Sequence, residues 1–368
     1  MDAVSIAKKV FWGLIATGGV WVGCVLFCTR TWVQRQVFYA YKVPIWWGQQ
    51  LDKPETFGFL KNQVTPFYIP TKDGHRLYSW LVTPLKVYAK HESTLLKNPT
   101  RLFGDVRERA AFNLLSSDPS SRLIIYFHGN AGTVGQTRRT DAYRMISSGA
   151  SDSIYVLAFD YRGFGNSTGS PTEETLIKDT IEVIQWAIEV ANVSASRIVL
   201  VAQSLGTALA CAAASHFIDK EPKVELAGIV LCATFTDAAT VFLNYSIGGY
   251  VPILAPLRVS KTLSTWFARR MTDTWKSADR IVNIVRKSSR LRLTFVHATS
   301  DSVVPWSQAD QLFHLAVNAL EDEILSTQVI AERKRTIDLG EGGWTHSWGD
   351  DQKLVQEVIV KHGGELEC

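Results

Sequence analysis

With 368 residues, 46% of them hydrophobic, the chain can bury one large core or two modest ones. Its formal net charge of +4 comes from scattered basic residues, which excludes the concentrated footprint of a nucleic-acid-binding face. The five cysteines, Cys24, Cys28, Cys211, Cys232 and Cys368, form no CxxC pair and no zinc spacing, so no metal site is expected, and Cys211 and Cys232 read as core.

Residues 1–9 read as a tail. From Val10 to Thr29 no charge occurs, and at 1.5 Å per residue a helix there would span roughly 30 Å, the thickness of a bilayer core. The run is longer than a signal-peptide core and no Ala-x-Ala site follows, so residues 10–29 are expected to be a single transmembrane anchor. Trp12, Trp21, Trp32, Trp46 and Trp47 would sit near the interfaces. Lys8 and Lys9 balance Arg30, Arg35 and Lys42, leaving orientation open. Sequons at Asn166, Asn192 and Asn244 suit a lumenal domain on the endoplasmic reticulum or another endomembrane.

Residues 30–65, with Pro44 and Pro54, are expected to lie along the membrane surface, and 66–368 to form the main domain. Pro66–Pro70 and Arg76–Thr83 read as a hairpin turning at Lys72-Asp73-Gly74. Residues 85–121 keep no sustained period apart from a short helix at Asp105–Leu115, and are expected to be a surface insertion. From Arg122 the pattern alternates. Leu123–Phe127, Ile154–Phe159, Ile198–Ala202, Ala227–Cys232 and Leu293–Val296 are apolar runs of parallel-strand type, with helical stretches between them such as Thr172–Val190. Strand followed by helix, repeated, predicts an α/β fold with a doubly wound, mostly parallel sheet, whose chemistry gathers at the carboxyl ends of the strands.

Four of those ends carry chemistry-bearing residues. His128-Gly129-Asn130-Ala131-Gly132 offers small residues where backbone amides must approach a ligand, and the N–H groups of Asn130 and Leu205 are the expected oxyanion donors. Asp160 to Ser167 reads as a loop that braces it. In Ala202-Gln203-Ser204-Leu205-Gly206 a strand breaks at a serine and resumes as a small-residue helix, the geometry of a nucleophile elbow, although alanine stands at its first position. Asp301 follows the Leu293–Val296 strand and is the expected carboxylate. His346, on the glycine-rich loop after a strand at Arg335–Leu339, is the expected base, and His297 reads as structural. The order Ser204, Asp301, His346 is that of an α/β-hydrolase.

The motifs His128-Gly129-Asn130-Ala131-Gly132-Thr133, Asp160-Tyr161-Arg162-Gly163, Ser204-Leu205-Gly206-Thr207, Phe235-Thr236-Asp237 and Val303-Val304-Pro305 carry a resemblance. From about Pro66 onward the chain resembles the α/β-hydrolase domain-containing protein 12 group, membrane-anchored serine hydrolases known as monoacylglycerol and lysophosphatidylserine lipases. The likeness implies a triad of Ser204, Asp301 and His346, a lipid ester substrate, an N-terminal anchor and no cofactor. Ala202-Gln203 departs from that group's Gly-His. Residues 236–284 are the expected helical cap, with Leu263, Trp266 and Phe267 as candidates to touch acyl chains or a bilayer surface. Competing readings on the same fold are a depalmitoylating thioesterase, a serine peptidase or a non-catalytic scaffold. The oligomeric state is not read from the sequence.

Overall fold

The computed structural model describes residues 3–41, 50–97, 105–245, 252–321 and 324–363; Pro44, Trp46, Trp47 and Cys368 lie outside them. It opens with helix α1 (Ala3–Cys28), long and apolar enough to cross a membrane, and its most apolar window is only 6% buried. Helix α2 (Thr31–Tyr39) follows and stops at Ala40, whose φ of 46° lets its N–H close onto the Gln36 carbonyl. The first part of the segment expected along a membrane surface packs on the domain. Tyr39 is fully buried, and Gln34 bonds both the Arg270 carbonyl (2.9 Å) and the Thr272 N–H (3.0 Å).

Strands β1 (Val64–Pro70) and β2 (Arg76–Val82) form the expected hairpin, with Gly74 at φ 86° in its turn. The insertion is more ordered than its sequence suggests. It forms helix α3 (Leu85–Lys97), broken in backbone geometry at His91, and helix α4 (Ala110–Ser117), which bury Tyr88, Leu95, Phe112 and Leu115 in the main core. Two short helices with few apolar positions each leave little period to read.

The central layers then alternate: β3 (Arg122–Phe127), α5 (Thr137–Ser148), β4 (Ile154–Phe159), α6 (Glu173–Glu189), β5 (Ile198–Gln203), α7 (Leu205–Ile218) and β6 (Gly228–Cys232). Helix α6 starts where Thr172 and Thr175 cap each other, with Glu173 and Glu174 in the first turn, and its inward stripe is Leu176, Thr180, Val183, Ile184 and Ala187. Helix α7 is buried almost all round, which its alanines permit by letting neighbours approach closely. Next come α8 (Ala238–Asn244), α9 (Lys261–Ala268), α10 (Ser277–Lys287), β7 (Leu291–Ala298), α11 (Ser307–Leu320), α12 (Thr327–Arg333), β8 (Arg335–Asp338), β9 (Gly343–Gly349) and β10 (Lys353–Val360). Helix α10 buries Ile281, Ile284 and Val285 against α7 and α11, so it belongs to the sheet-covering layer rather than to the cap.

Among the described residues one sheet of ten strands has the order β1-β2-β4-β3-β5-β6-β7-β10-β9-β8. The stretch from β4 to β10 is parallel, and both flanks are antiparallel. Alternate residues sort to the two faces: Leu123, Ile125 and Phe127 join the core under α6 and α7, while Ile124 and Tyr126 meet Tyr143 of α5. Strand order reverses at β3, which puts the crevice for chemistry beyond the ends of β3 and β5.

The strand read as last, at Arg335–Leu339, is an exposed antiparallel edge. The parallel slot beside β7 is filled by β10. Lys353 to Val360 alternates buried Val355, Glu357 and Ile359 with half-buried neighbours, a strand signal the sequence reading passed over.

Candidate active site

Ser204 sits between β5 and α7 at φ 49°, ψ −119°, a conformation that costs a non-glycine residue about 1–3 kcal/mol. The turn is held by two ties: the Ser204 N–H donates to the Cys232 carbonyl (2.9 Å), and the Thr207 hydroxyl donates to the Ser204 carbonyl (2.6 Å). Gly206 is required by close approach, because a Cβ there would lie 2.3 Å from the Phe127 carbonyl oxygen. Ala202 is fully buried in β5. Gly206→Ala is expected to lower stability by about 3 kcal/mol, read as the shift in a urea unfolding midpoint, since the atom it meets is backbone and cannot turn away. A midpoint equal to wild type would contradict this account of the elbow.

Facing the elbow, the loop after β3 turns through Ala131 (φ 53°) and Gly132 (φ 65°). Its carbonyls are gathered by one buried side chain that the sequence reading missed. Arg139, on α5 and 2% exposed, donates to the Gly129, Asn130 and Ala131 carbonyls (3.1, 3.0 and 2.8 Å) and to that of Thr133 (2.9 Å). With the carbonyls drawn toward α5, the N–H of Asn130 finds no acceptor among the described residues, and neither does that of Leu205 at the start of α7. Free amides at these two positions are what an oxyanion site requires.

The Asp160 loop braces this arrangement from behind. The Tyr161 hydroxyl donates to the His128 carbonyl (2.6 Å) and the Tyr161 ring stacks on the His128 imidazole (3.9 Å between centroids). Arg162 bridges Asp73 and Asp179. Burial pushes the Asp160 carboxyl up to about 7, against the Val134 N–H and Arg139, which pull it down. Burial, aided by Arg139, holds the His128 imidazole well below its usual range, so it stays neutral.

Asp301 lies in the turn after β7. Its Oδ1 accepts from the N–H groups of Val303 (2.8 Å) and Val304 (2.9 Å). Oδ2 is buried and lies 3.3 Å from His297 Nε2. That nitrogen already faces the Val304 carbonyl at 2.9 Å, which can only accept, so the imidazole proton is committed there. One oxygen of a buried carboxylate therefore makes no hydrogen bond of its own among the described residues.

Ser204 opens into a cleft of about 510 Å³, mouth included, shared with Asn130, Leu205, Val303 and Val304. Its apolar walls are Val37, Phe38, Phe235, Val241, Phe242 and Tyr245. The expected cap contacts are elsewhere: Phe267 is fully buried, Trp266 lies under Arg270 (4.1 Å to the ring centroid), and Leu263 is 45% exposed. None of the three lines the cleft. Phe267 is spent on the cap's own packing, beside Phe242 (6.4 Å between ring centroids). Among the described residues no group of three or more His, Cys, Asp or Glu is placed to hold a metal.

A profile described as the alpha/beta hydrolase fold matches residues 122–320, the stretch holding the Asn130 loop, the Ser204 turn and Asp301. The chain belongs to the alpha/beta hydrolase fold family. Relatives of this hydrolase-fold chain are of the ABHD12 type. Human protein ABHD12B is 32% identical over 55% of this chain and 51% of its own length, and fission-yeast protein bem46 is 31% identical over 56% and 60%. The zebrafish lysophosphatidylserine lipase ABHD12 is 23% identical over 78% of this chain and 67% of its own. The chain thus spans about half to three-fifths of the first two relatives. An alpha-beta hydrolase from Vibrio vulnificus shares the fold, with TM-score 0.54 at 11% identity, over 78% of this chain and 81% of that one.

Within this fold the structure does not bring His346 to Ser204. His346 lies on β9, opposite Glu357 of β10, and that row continues through Phe295 and Leu231 to Ala202 on β5. Four strand spacings separate His346 from the elbow strand, about 19 Å. Its Nδ1 lies 3.1 Å from Glu357 Oε2 and 2.9 Å from Lys334 Nζ. Burial and then Lys334 push the imidazole down to about 4, while burial and then Asp310 push Glu357 up to about 8. The histidine beside the Asp301 turn is instead His362, exposed and two residues beyond β10. That short segment is tied down: the Thr299 N–H donates to the Val360 carbonyl (2.9 Å), the Thr299 hydroxyl to that of Lys361 (2.9 Å), and the Ser300 hydroxyl to that of Gly363. Reading β10 as a strand would have exposed this address in the sequence.

Proposed function

We propose that the chain is a membrane-anchored serine hydrolase that cleaves carboxylic esters of single-chain lipids, of the lysophospholipid or monoacylglycerol kind. The observation that carries this reading is a strained serine at a strand-to-helix turn, opening into an apolar cleft that Asn130 and Leu205 also line, with neither backbone N–H of those two bonded among the described residues. Ser204 attacks the ester carbonyl, the Asn130 and Leu205 amides hold the oxyanion, and an acyl-enzyme forms. A histidine takes the serine proton and gives it to the glycerol-side oxygen as the ester C–O bond breaks and the alcohol leaves; the neutral imidazole then takes a proton from the water that releases the fatty acid, while Asp301 orients it through Oδ2. The lysophosphatidylserine-lipase name of relatives and the apolar α1 favour a lipid substrate at a membrane.

For the base, His362 is favoured over His346. It stands next to the Asp301 turn, whereas His346 is engaged with Glu357 and Lys334 at the sheet edge. His362→Ala is expected to lower kcat by about 10⁴-fold or more, and His346→Ala by less than about three-fold. The opposite pattern, together with an acid limb of the rate near pH 4, would return the role to His346.

The reading as a whole is tested by labelling the full chain with a fluorophosphonate and assaying lysophosphatidylserine, monoacylglycerol and acyl-cysteine peptides. Label on Ser204 with turnover of the first two supports it. No label sinks the serine-hydrolase reading, and preference for the thioester would make the protein a thioesterase. A lumenal catalytic domain is part of the proposal, and glycan on the exposed Asn192 is its expected sign.

A further inference from the structure

The cleft beside Ser204 takes one wall from far outside the profile-matched region. Val37 and Phe38, in the last turn of α2, line it together with Asn130 and Leu205. Phe38 is only partly buried. Its ring stacks on Phe242 (centroids 5.6 Å, planes 8° apart) and on Trp275 (6.3 Å, 12°), and meets Phe235 edge-on (6.4 Å, 87°). A ring held by two near-parallel aromatics and an edge-on third while lining the cleft makes a hard boundary, not a side chain that yields to its guest.

The helix carrying this ring is itself locked. The Tyr39 hydroxyl donates to Asp273 (2.6 Å), Gln34 makes its two bonds across to residues 270 and 272, and Thr31 meets Thr272 (3.1 Å). Helix α1 is tied to the same layer, where the Trp21 indole donates to the Ile253 carbonyl (2.7 Å) and Val25 is buried. Helix α2 also reaches the chemistry through its backbone. The Ala131 N–H donates to the Tyr39 carbonyl (3.0 Å) and the Asn130 side-chain amide to the Phe38 carbonyl (3.4 Å). The end of α2 therefore touches the oxyanion loop and bounds the cleft at once.

We infer that Phe38 is the acyl-chain selectivity residue of this site, the ring on α2 against which the substrate's hydrocarbon chain is measured. The inference rests on the ester-hydrolase reading and adds to it the element that selects the chain. Because α2 is rigidly docked, changes in ring size alter the width of the cleft rather than being absorbed by a shifting helix.

The test uses the full chain in detergent with a series of monoacylglycerols from C8 to C20, and reads the ratio of kcat/KM for C18 over C8. A ratio within one preparation does not depend on the fraction folded, so a destabilised variant still answers. Phe38→Ala is expected to raise this ratio by about five-fold or more by widening the cleft, and Phe38→Trp to lower it by a similar factor. Ratios that stay within about two-fold of wild type in both variants, or move the same way in both, overturn the role of Phe38. A wild-type chain that takes no fluorophosphonate and turns over no ester fails differently: it overturns the hydrolase reading and the inference with it.

Discussion

Ser204→Gly is expected to abolish ester turnover while making the protein more stable. Removing the nucleophile costs about 10⁶-fold in kcat where a hydrolase triad acts as a unit, and Ser204→Ala should lose the same activity. The two variants part company on stability. At φ 49°, ψ −119° the Cβ of residue 204 is strained, and alanine keeps that Cβ whereas glycine removes it. Glycine also loses more backbone freedom on folding, about 0.5–1 kcal/mol, so the expected net gain for Ser204→Gly is about 1 kcal/mol. Ser204→Ala should leave stability near wild type. Urea unfolding of the three proteins, with turnover measured in parallel, checks both halves. Retained turnover in Ser204→Ala would remove Ser204 as nucleophile, and a Ser204→Gly protein less stable than Ser204→Ala would remove the strain argument.

The second large effect is expected at Arg139. Its guanidinium supplies donors to four carbonyls in a nearly dry setting, and a buried carbonyl left without a donor costs about 1–3 kcal/mol. Water will rehydrate part of the space, so Arg139→Met is expected to cost about 3–4 kcal/mol overall. The catalytic effect follows from the same contacts. Once the carbonyls of Gly129, Asn130 and Ala131 are released, the peptide planes of the loop can rotate and the Asn130 N–H no longer points steadily at the oxyanion position. Loss of one such donor costs about 10²–10³-fold in kcat. Arg139→Lys should not restore activity, because one ammonium cannot match a planar fork spread over four acceptors. Near-normal kcat in Arg139→Met would show that the loop holds its shape without the staple.

The elbow, the glycine-rich loop after β3 and the Asp301 turn are legible in the sequence for a shared reason. Each is a local strand-to-turn event whose residues adjoin in the chain: the apolar run before Ser204, the small residues around Gly129, the carboxylate just after β7. The separation of His346 from Ser204 in this structure has an equally definite origin. Arg335–Leu339 looks like a last strand by local pattern, but whether a strand joins the parallel stack or hangs at its edge depends on which partner it pairs with. That partner is decided by β10, whose alternating pattern includes a buried Glu357 and so resembles a surface segment.

Local periodicity and turn chemistry by themselves determined the alternation of strand and helix from β3 to β6, the apolar N-terminal helix and the serine's place at a strand end, since these depend on residues within one turn or strand of each other. Only the tertiary structure decided which histidine stands beside the Asp301 turn, that Arg139 gathers the carbonyls of the loop after β3, and that a wall of the cleft comes from α2. Those are contacts between segments far apart in the chain, fixed by strand register and by the packing of α2 against residues 270–275, and no local pattern encodes them.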